Sequence, residues 1–317
     1  MSTSELMCPK CLNANPEYRL FCCKCGTNLE PRTNLSLRLD EFQCSSDKDA
    51  LGILESTGIL AYLVDQFLVK PRERRQREWL SKHGFSTTRF KGFETLVEEC
   101  AYTLSLEALP EVYVIESEMP ANAFTFGNDT APVIVVDSRL IQAMGSDELR
   151  SLLGHEMGHV KSRHMLYHSL ANILAEGVGI STSLMGLQYI SMAMKLALLA
   201  WSRESEFTAD RASLISCGDP NQVASMFARL LNPRHRSISD SAWLPQDIAT
   251  IFESHPNHLE RIKAVFEFSK SADYAAIVEK IGKRRLFREA FIPKCRFCNA
   301  SKPLEALFCP TCGKSQI

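Results

Sequence analysis

The apolar positions along the chain change period twice. From Asp49 onward, Leu51, Leu54, Gly58, Tyr62, Asp65 and Leu68 lie on an amphipathic stretch that ends at Lys70-Pro71. The run from Pro71 to Glu78 mixes both charge signs and predicts a solvated helix face with i,i+4 pairs such as Glu73–Arg77. Phe93 to Leu109 is a second helix by spacing. The period then shortens. Val112-Tyr113-Val114-Ile115, Ala123-Phe124-Thr125-Phe126 and Pro132-Val133-Ile134-Val135-Val136 are short β-rich runs separated by turn residues. Gly127-Asn128-Asp129 suits a hairpin between the last two. After Ser138 helical spacing returns and persists to about Arg285, with Ser146 as a suitable N-cap ahead of Asp147-Glu148. The predicted core is therefore α+β, mostly α, with one small sheet.

Composition narrows the class. The chain has 317 residues and is 45% hydrophobic, which excludes disorder as its main state. Lys plus Arg is 36 against 37 for Asp plus Glu, a net charge of −1, so the surface as a whole is not built to coat nucleic acid. A local basic group exists at Lys283, Arg284, Arg285, Arg288, Lys294 and Arg296, but Phe287, Phe291 and Phe297 beside it form no base-stacking pattern. The opening residues lack the basic and apolar run of a signal peptide. Twelve cysteines without an export signal point to a reducing compartment, the cytoplasm, where such residues bind metal more often than they form disulfides.

Eight of those cysteines repeat one pattern. Cys8, Cys11, Cys22 and Cys25 form C-x2-C-x10-C-x2-C near the start, and Cys295, Cys298, Cys309 and Cys312 repeat it at the end. Two C-x-x-C turns close a tetrahedral all-thiolate zinc site with no open position, which is a structural site. Modules of ~25 residues bury too little apolar surface to fold alone, so the metal supplies much of their folding energy. Cys23 adjoins Cys22, but only Cys22 has the required spacing to Cys25; Cys44, Cys100 and Cys217 are isolated thiols.

The chemistry lies on the helix after Ser146. His155 and His159 are i,i+4, so both imidazoles leave one face and can share a metal, with Glu156 beside them to reach its water. Two histidines leave a catalytic zinc site one protein ligand short, and a carboxylate on a later helix is the natural third. Glu206 and Asp210, again i,i+4, offer that ligand and a carboxylate to hold the far nitrogen of a ligand histidine. His83, His164, His168 and His235 fall off the ligand face or far from any motif and read as surface or core residues. Met157 and Gly158 read as packing choices.

From about Asp49 to Phe268 the chain resembles the gluzincin metallopeptidases of the HtpX and CAAX-prenyl-protease type. The resemblance rests on Asn122-Ala123-Phe124-Thr125-Phe126-Gly127, Gly154-His155-Glu156-Met157-Gly158-His159-Val160 with Arg163-His164 behind it, Glu206-Phe207-Thr208-Ala209-Asp210-Arg211, and Ser254-His255-Pro256 with Arg261-Ile262. It implies a gluzincin-type zincin core, an antiparallel or mixed sheet beside the H-E-x-x-H helix, and an edge strand at Asn122, Ala123 and Phe124 that holds extended substrate. It further implies zinc ligands at His155, His159 and Glu206, a general base at Glu156, a capping or switching histidine at His255, and Arg261 near the site, against Asp210.

The expected organisation is an N-terminal zinc ribbon (1–30), a linker (31–48), a metallopeptidase domain (49–290) and a C-terminal ribbon (291–317). It would hold one catalytic and two structural zinc ions. Unlike HtpX and the prenyl proteases, the chain shows no clear transmembrane helix. Leu184 to Trp201 is the only candidate, but it carries Gln188 and Lys195, and it reads as a buried helical hairpin, with peripheral membrane contact the minority reading. The functional expectation is zinc-dependent cleavage of extended or unfolded polypeptides. The other reading is a zinc-ribbon adaptor for protein or RNA with a vestigial peptidase core; intact Glu156 and the charge balance weigh against it.

Overall fold

The computed structural model describes residues 5–16, 19–30, 33–55, 66, 69–90, 92–116, 121–128, 131–169, 192–231, 256–291, 295–298 and 312–315. Two short strands, β1 (Glu5–Met7) and β2 (Ala14–Pro16), pair antiparallel in the first cysteine module. Helices α1 (Ser45–Glu55) and α2 (Lys70–His83) lead to β3 (Phe85–Ser86) and α3 (Phe93–Thr103). Then come β4 (Glu111–Ile115), β5 (Ala123–Asn128) and β6 (Ala131–Asp137). Six helices follow among the described residues: α4 (Ser138–Ala143), α5 (Ser146–Lys161), α6 (Met192–Cys217), α7 (Pro220–Leu231), α8 (Pro256–Phe268) and α9 (Ala272–Phe291).

The main sheet has the order β3-β4-β6-β5, with β4 parallel to β6 and the other pairs antiparallel. The inner strand β6 carries the run Val133-Ile134-Val135-Val136, which is apolar at every position and buried on both faces. Ile134 and Val136 join the main core with Val114, Ala123, Leu152 and Met157, while Val133 and Val135 pack with Leu80 and Phe126. Arg77 ties α2 to this second layer. It pairs with Glu73 at 2.9 Å and Glu111 at 3.0 Å and donates to the Ala131 carbonyl. Glu73 is itself buried, so this part of α2 is not the solvated face that its charge pattern predicts.

Two helix ends differ from the sequence expectation. The second helix stops at Thr103, not Leu109, because Ser105 takes a left-handed conformation (φ 52°) and Leu106 N–H bonds back to the Ala101 carbonyl. Ser146 is the first helical residue of α5 instead of its cap; Gly145 occupies the cap, and the Glu148 carboxylate accepts its N–H at 2.7 Å.

The stretch 33–47 is a strap packed on the body, not a loose linker. Leu37 and Phe42 are buried, Leu37 N–H donates to Ser105 Oγ at 2.9 Å, and Lys280 pairs with Glu41 at 2.8 Å. Helix α1 starts at Ser45, ahead of Asp49. The first cysteine module is docked too. Leu109 N–H donates to the Gly26 carbonyl and Asn28 N–H to the Glu107 carbonyl, both at 2.8 Å, and Arg284 binds Glu30 and the Tyr102 carbonyl. Arg284 is 3% exposed and Lys283 pairs with Glu279, which breaks up the local basic group read from the sequence. No helix among the described residues is long and apolar enough to cross a membrane. Residues 184–191 lie outside the described residues, while Leu198 and Trp201 are buried in α6.

Helices α5 and α6 approach at Gly154 and Gly158. A Cβ at Gly154 would stand 2.5 Å from Ser216 Cβ, and one at Gly158 would stand 2.9 Å from Ala209 Cα and 2.8 Å from Ala212 Cβ. Ser151 and Ser213 exchange a hydroxyl contact of 2.7 Å along the same seam. On an exposed helix, Gly→Ala stabilises by ~1 kcal/mol. At Gly158 the overpacked methyl reverses the sign, so Gly158→Ala is expected to lose about 1–3 kcal/mol on chemical denaturation. A gain in stability would show that the helices are not in this contact.

Candidate active site

The close α5–α6 seam sets three side chains against one another. His155 Nε2 and His159 Nε2 are 3.3 Å apart. Glu206, from α6, places Oε2 3.4 Å from His155 Nε2 and Oε1 3.5 Å from His159 Nε2. Ligand atoms ~2.0–2.2 Å from one tetrahedral ion stand about 3.3–3.6 Å apart, so this donor set fits a zinc ion held by two histidines and a glutamate. Glu156 is 6% exposed, and Thr125 Oγ1 of β5 donates to its Oε2 at 2.6 Å.

Each group has a partner that orients it. Asp210 Oδ1 accepts from His155 Nδ1 at 3.0 Å, leaving Nε2 to face Glu206. Arg261, from α8, clamps Asp210 with two bonds of 2.7 Å and reaches Glu206 Oε2 at 3.0 Å. Burial alone would lower the His155 imidazole, but its bonds to Asp210 and Glu206 push it up to about 10. Burial and neighbouring imidazoles drive His159 well down. Burial opposes ionisation of Glu206, yet the Arg261 charge and the His155 bond hold it well below the usual carboxylate range. Burial raises Glu156, against the pull of His155 and Thr125, which suits a proton acceptor.

A cavity of about 310 Å³ opens onto this cluster. Asn122, Ala123 and Phe124 line one side, and Leu152, Met165, Met226, Phe227 and Leu230 supply an apolar wall. Phe124 is 41% exposed, on an outer strand of the sheet. His258 lines the cavity and packs on the Phe227 ring at 5.5 Å. His255 and Ser254 lie outside the described residues.

Three residues at the site were given no role by the sequence motifs. Thr125 was legible only as a strand position. His164 and His168, read as surface or core, are buried beside His159; His164 Nδ1 is 3.1 Å from His159 Nδ1, and His168 Nε2 is 2.7 Å from Ser205 Oγ. Asp47 meets His164 from 117 residues away.

The cysteines also converge. Cys8 and Cys25 Sγ are 3.5 Å apart, Cys11 and Cys22 Sγ 3.6 Å, and all four lie within 4.8 Å of one another. Thiolates ~2.3 Å from one ion stand about 3.8 Å apart, so a small adjustment seats zinc there. The Thr27 hydroxyl and backbone pull Cys25 down to about 6. In the second module Cys295, Cys298 and Cys312 cluster, while Cys309 lies outside the described residues.

Comparison with known proteins gives the family. The profile of peptidase family M48 matches residues 87–268. The chain belongs to that family. It is 32% identical over 210 residues to the plastoglobule-localized metallopeptidase 48, chloroplastic, of Arabidopsis thaliana, a match covering 60% of each protein. It is 28% identical over 201 residues to a protease HtpX homolog of Persephonella marina, covering 51% of this chain and 69% of the relative. Another HtpX homolog, from Ralstonia nicotianae, is 24% identical over 234 residues, covering 60% of this chain and 78% of the relative. The chain thus spans less than two thirds of the plant relative's length. No solved structure matches it.

In this M48 chain the Arg261–Asp210–Glu206 network is a largely buried charge cluster, with Asp210 inside and Glu206 facing the cavity. Removing one member of such a cluster costs about 3–5 kcal/mol, because the others are left unpaired. Arg261→Ala is expected to lower the unfolding free energy from chemical denaturation by up to that amount, and Arg261→Lys by less. Equal stability of Arg261→Ala and wild type would contradict the network.

Proposed function

We propose that the protein is a zinc-dependent metalloendopeptidase that cuts extended or unfolded protein segments in the cytoplasm, as part of protein quality control. The observation that carries the reading is the mutual placement of His155, His159 and Glu206 with Glu156 alongside, open to a cavity bordered by an outer strand.

A zinc ion at these three residues would lower the pKa of its water towards ~7 and polarise the scissile carbonyl. Glu156, aligned by the Thr125 hydroxyl, takes the proton of the attacking water and hands it to the leaving amine. Asp210 keeps the His155 Nδ1 proton in place, so that Nε2 presents its lone pair. The main chain of Asn122, Ala123 and Phe124 adds substrate as a further strand, which favours extended segments over folded ones. The wall of Leu152, Met165, Met226, Phe227 and Leu230 favours an apolar substrate side chain next to the cut. Arg261 serves as a clamp on Asp210 and Glu206, and His258, facing the cavity, is the better placed of the two to meet substrate.

The two cysteine modules each hold a structural zinc in this reading. Leu6, Met7 and Leu12 on the first and Phe297 on the second are exposed apolar side chains, suited to a protein partner more than to nucleic acid.

The test is casein hydrolysis with metal content measured in parallel. Glu156→Gln is expected to keep the zinc of wild type and to lose about 10²–10⁴ of the rate. Activity that survives in Glu156→Gln would overturn the mechanism, and an inactive wild type would return the protein to the adaptor reading.

A further inference from the structure

Helix α5 ends in a reversal that matters to the site. Arg163 takes the left-handed conformation (φ 57°), and the His164 N–H turns back to the His159 carbonyl at 3.1 Å while the Arg163 N–H meets the Val160 carbonyl at 3.2 Å. This swings the His164 ring behind His159, on the side away from Glu206. His159 Nε2 faces His155 and Glu206, and His159 Nδ1 faces His164 Nδ1 at 3.1 Å. His164 Nε2 lies 3.2 Å from Asp47 Oδ2, and both side chains are fully buried.

With both imidazoles neutral, as a metal ligand and its partner are, one arrangement of protons satisfies this chain of contacts. A carboxylate can only accept, so His164 Nε2 must carry the proton it shares with Asp47. Neutral His164 then has a lone pair at Nδ1, which can only accept from His159 Nδ1–H. That leaves His159 Nε2 with its lone pair turned to the metal position. The reversed order would set two acceptors against each other at Asp47 and put a proton on the ligand nitrogen. Asp47 is itself held firmly: Trp201 Nε1 donates to Oδ1 at 3.0 Å, and Thr208 Oγ1 and Gln43 Nε2 donate to Oδ2 at 2.7 and 3.2 Å.

We propose that Asp47, acting through His164, is a positioning residue that fixes the tautomer and orientation of His159, so that helix α1 completes the metal site of the peptidase. Asp210 does this for His155 directly, from inside the region that the family profile matches. Asp47 does it for His159 through a second imidazole, from outside that region, which begins at residue 87. The inference rests on reading His155, His159 and Glu206 as the zinc site.

The experiment uses the full zinc-loaded chain and graded dipicolinate. It follows the one zinc that is missing from a His155→Ala control. Loss of a partner behind a ligand histidine weakens metal binding by roughly 10–100-fold, the effect expected in Asp47→Asn and in His164→Gln. The double variant should be no weaker than His164→Gln alone, because the two act in series. Arg284→Ala removes bonds to Glu30 and the Tyr102 carbonyl that touch none of the metal-site residues, so it should lower Tm and keep zinc retention unchanged. If Asp47→Asn fails to fold, His164→Gln carries the same test. Zinc retention equal to wild type in the folded Asp47 and His164 variants would overturn the proposal, as would a loss in Arg284→Ala as large as in Asp47→Asn. A wild type holding no more zinc than His155→Ala would overturn the zinc-site reading itself.

Discussion

The structure depends on how closely two helices can approach. Gly154 precedes the H-E-x-x-H residues and Gly158 lies inside them, and neither has room for a methyl group against Ala209, Ala212 and Ser216. With side chains there, α5 and α6 would separate, and Glu206 would move away from the two imidazoles. The geometry near 3.3–3.5 Å among the three candidate ligands is thus a consequence of backbone packing. The small residues along α6 (Ser205, Ala209, Ala212, Ser213 and Ser216) are the matching half of that seam.

The same closeness gathers charge at the floor of the cavity. Glu156, Glu206, Asp210 and Arg261 would each be costly to bury alone. They are tolerated because Arg261 faces both Glu206 and Asp210, and because Asp210 and Thr125 take up hydrogen bonds from His155 and to Glu156. The two histidines differ in how they are held. His155 leans on an acid one turn along α6 from Glu206, and His159 leans on an imidazole placed by the reversal at Arg163. Stability and chemistry therefore draw on the same contacts.

Local patterns were legible in the sequence and long-range ones were not. The i,i+4 pairs His155/His159 and Glu206/Asp210 follow from helical period alone, and the alternation to β at Val112, Ala123 and Pro132 marks the strands to within a residue or two. The Glu73–Arg77 pair was also legible, though not its burial under β4 and β6. The helix ends at Ser105 and Arg163 were hidden, because each reversal uses a left-handed residue that is not glycine. That second reversal hid His164, whose spacing of five from His159 lies off the helical face. Asp47 was read as linker because nothing in its neighbourhood reveals a partner 117 residues away. The basic run near Arg284 is a local charge cluster by sequence, and the pairing of Arg284 with Glu30 and the Tyr102 carbonyl is long-range and hidden there.

The most direct test of this account is a crystal structure with anomalous diffraction recorded at the zinc edge. The account predicts a peak between His155 Nε2, His159 Nε2 and Glu206, at bond lengths of ~2.0–2.2 Å, apart from the thiolate sites. A peak seated instead among His159, His164 and His168, whose ring nitrogens also lie within 4.8 Å of one another, would contradict it, as would no peak outside the cysteine modules.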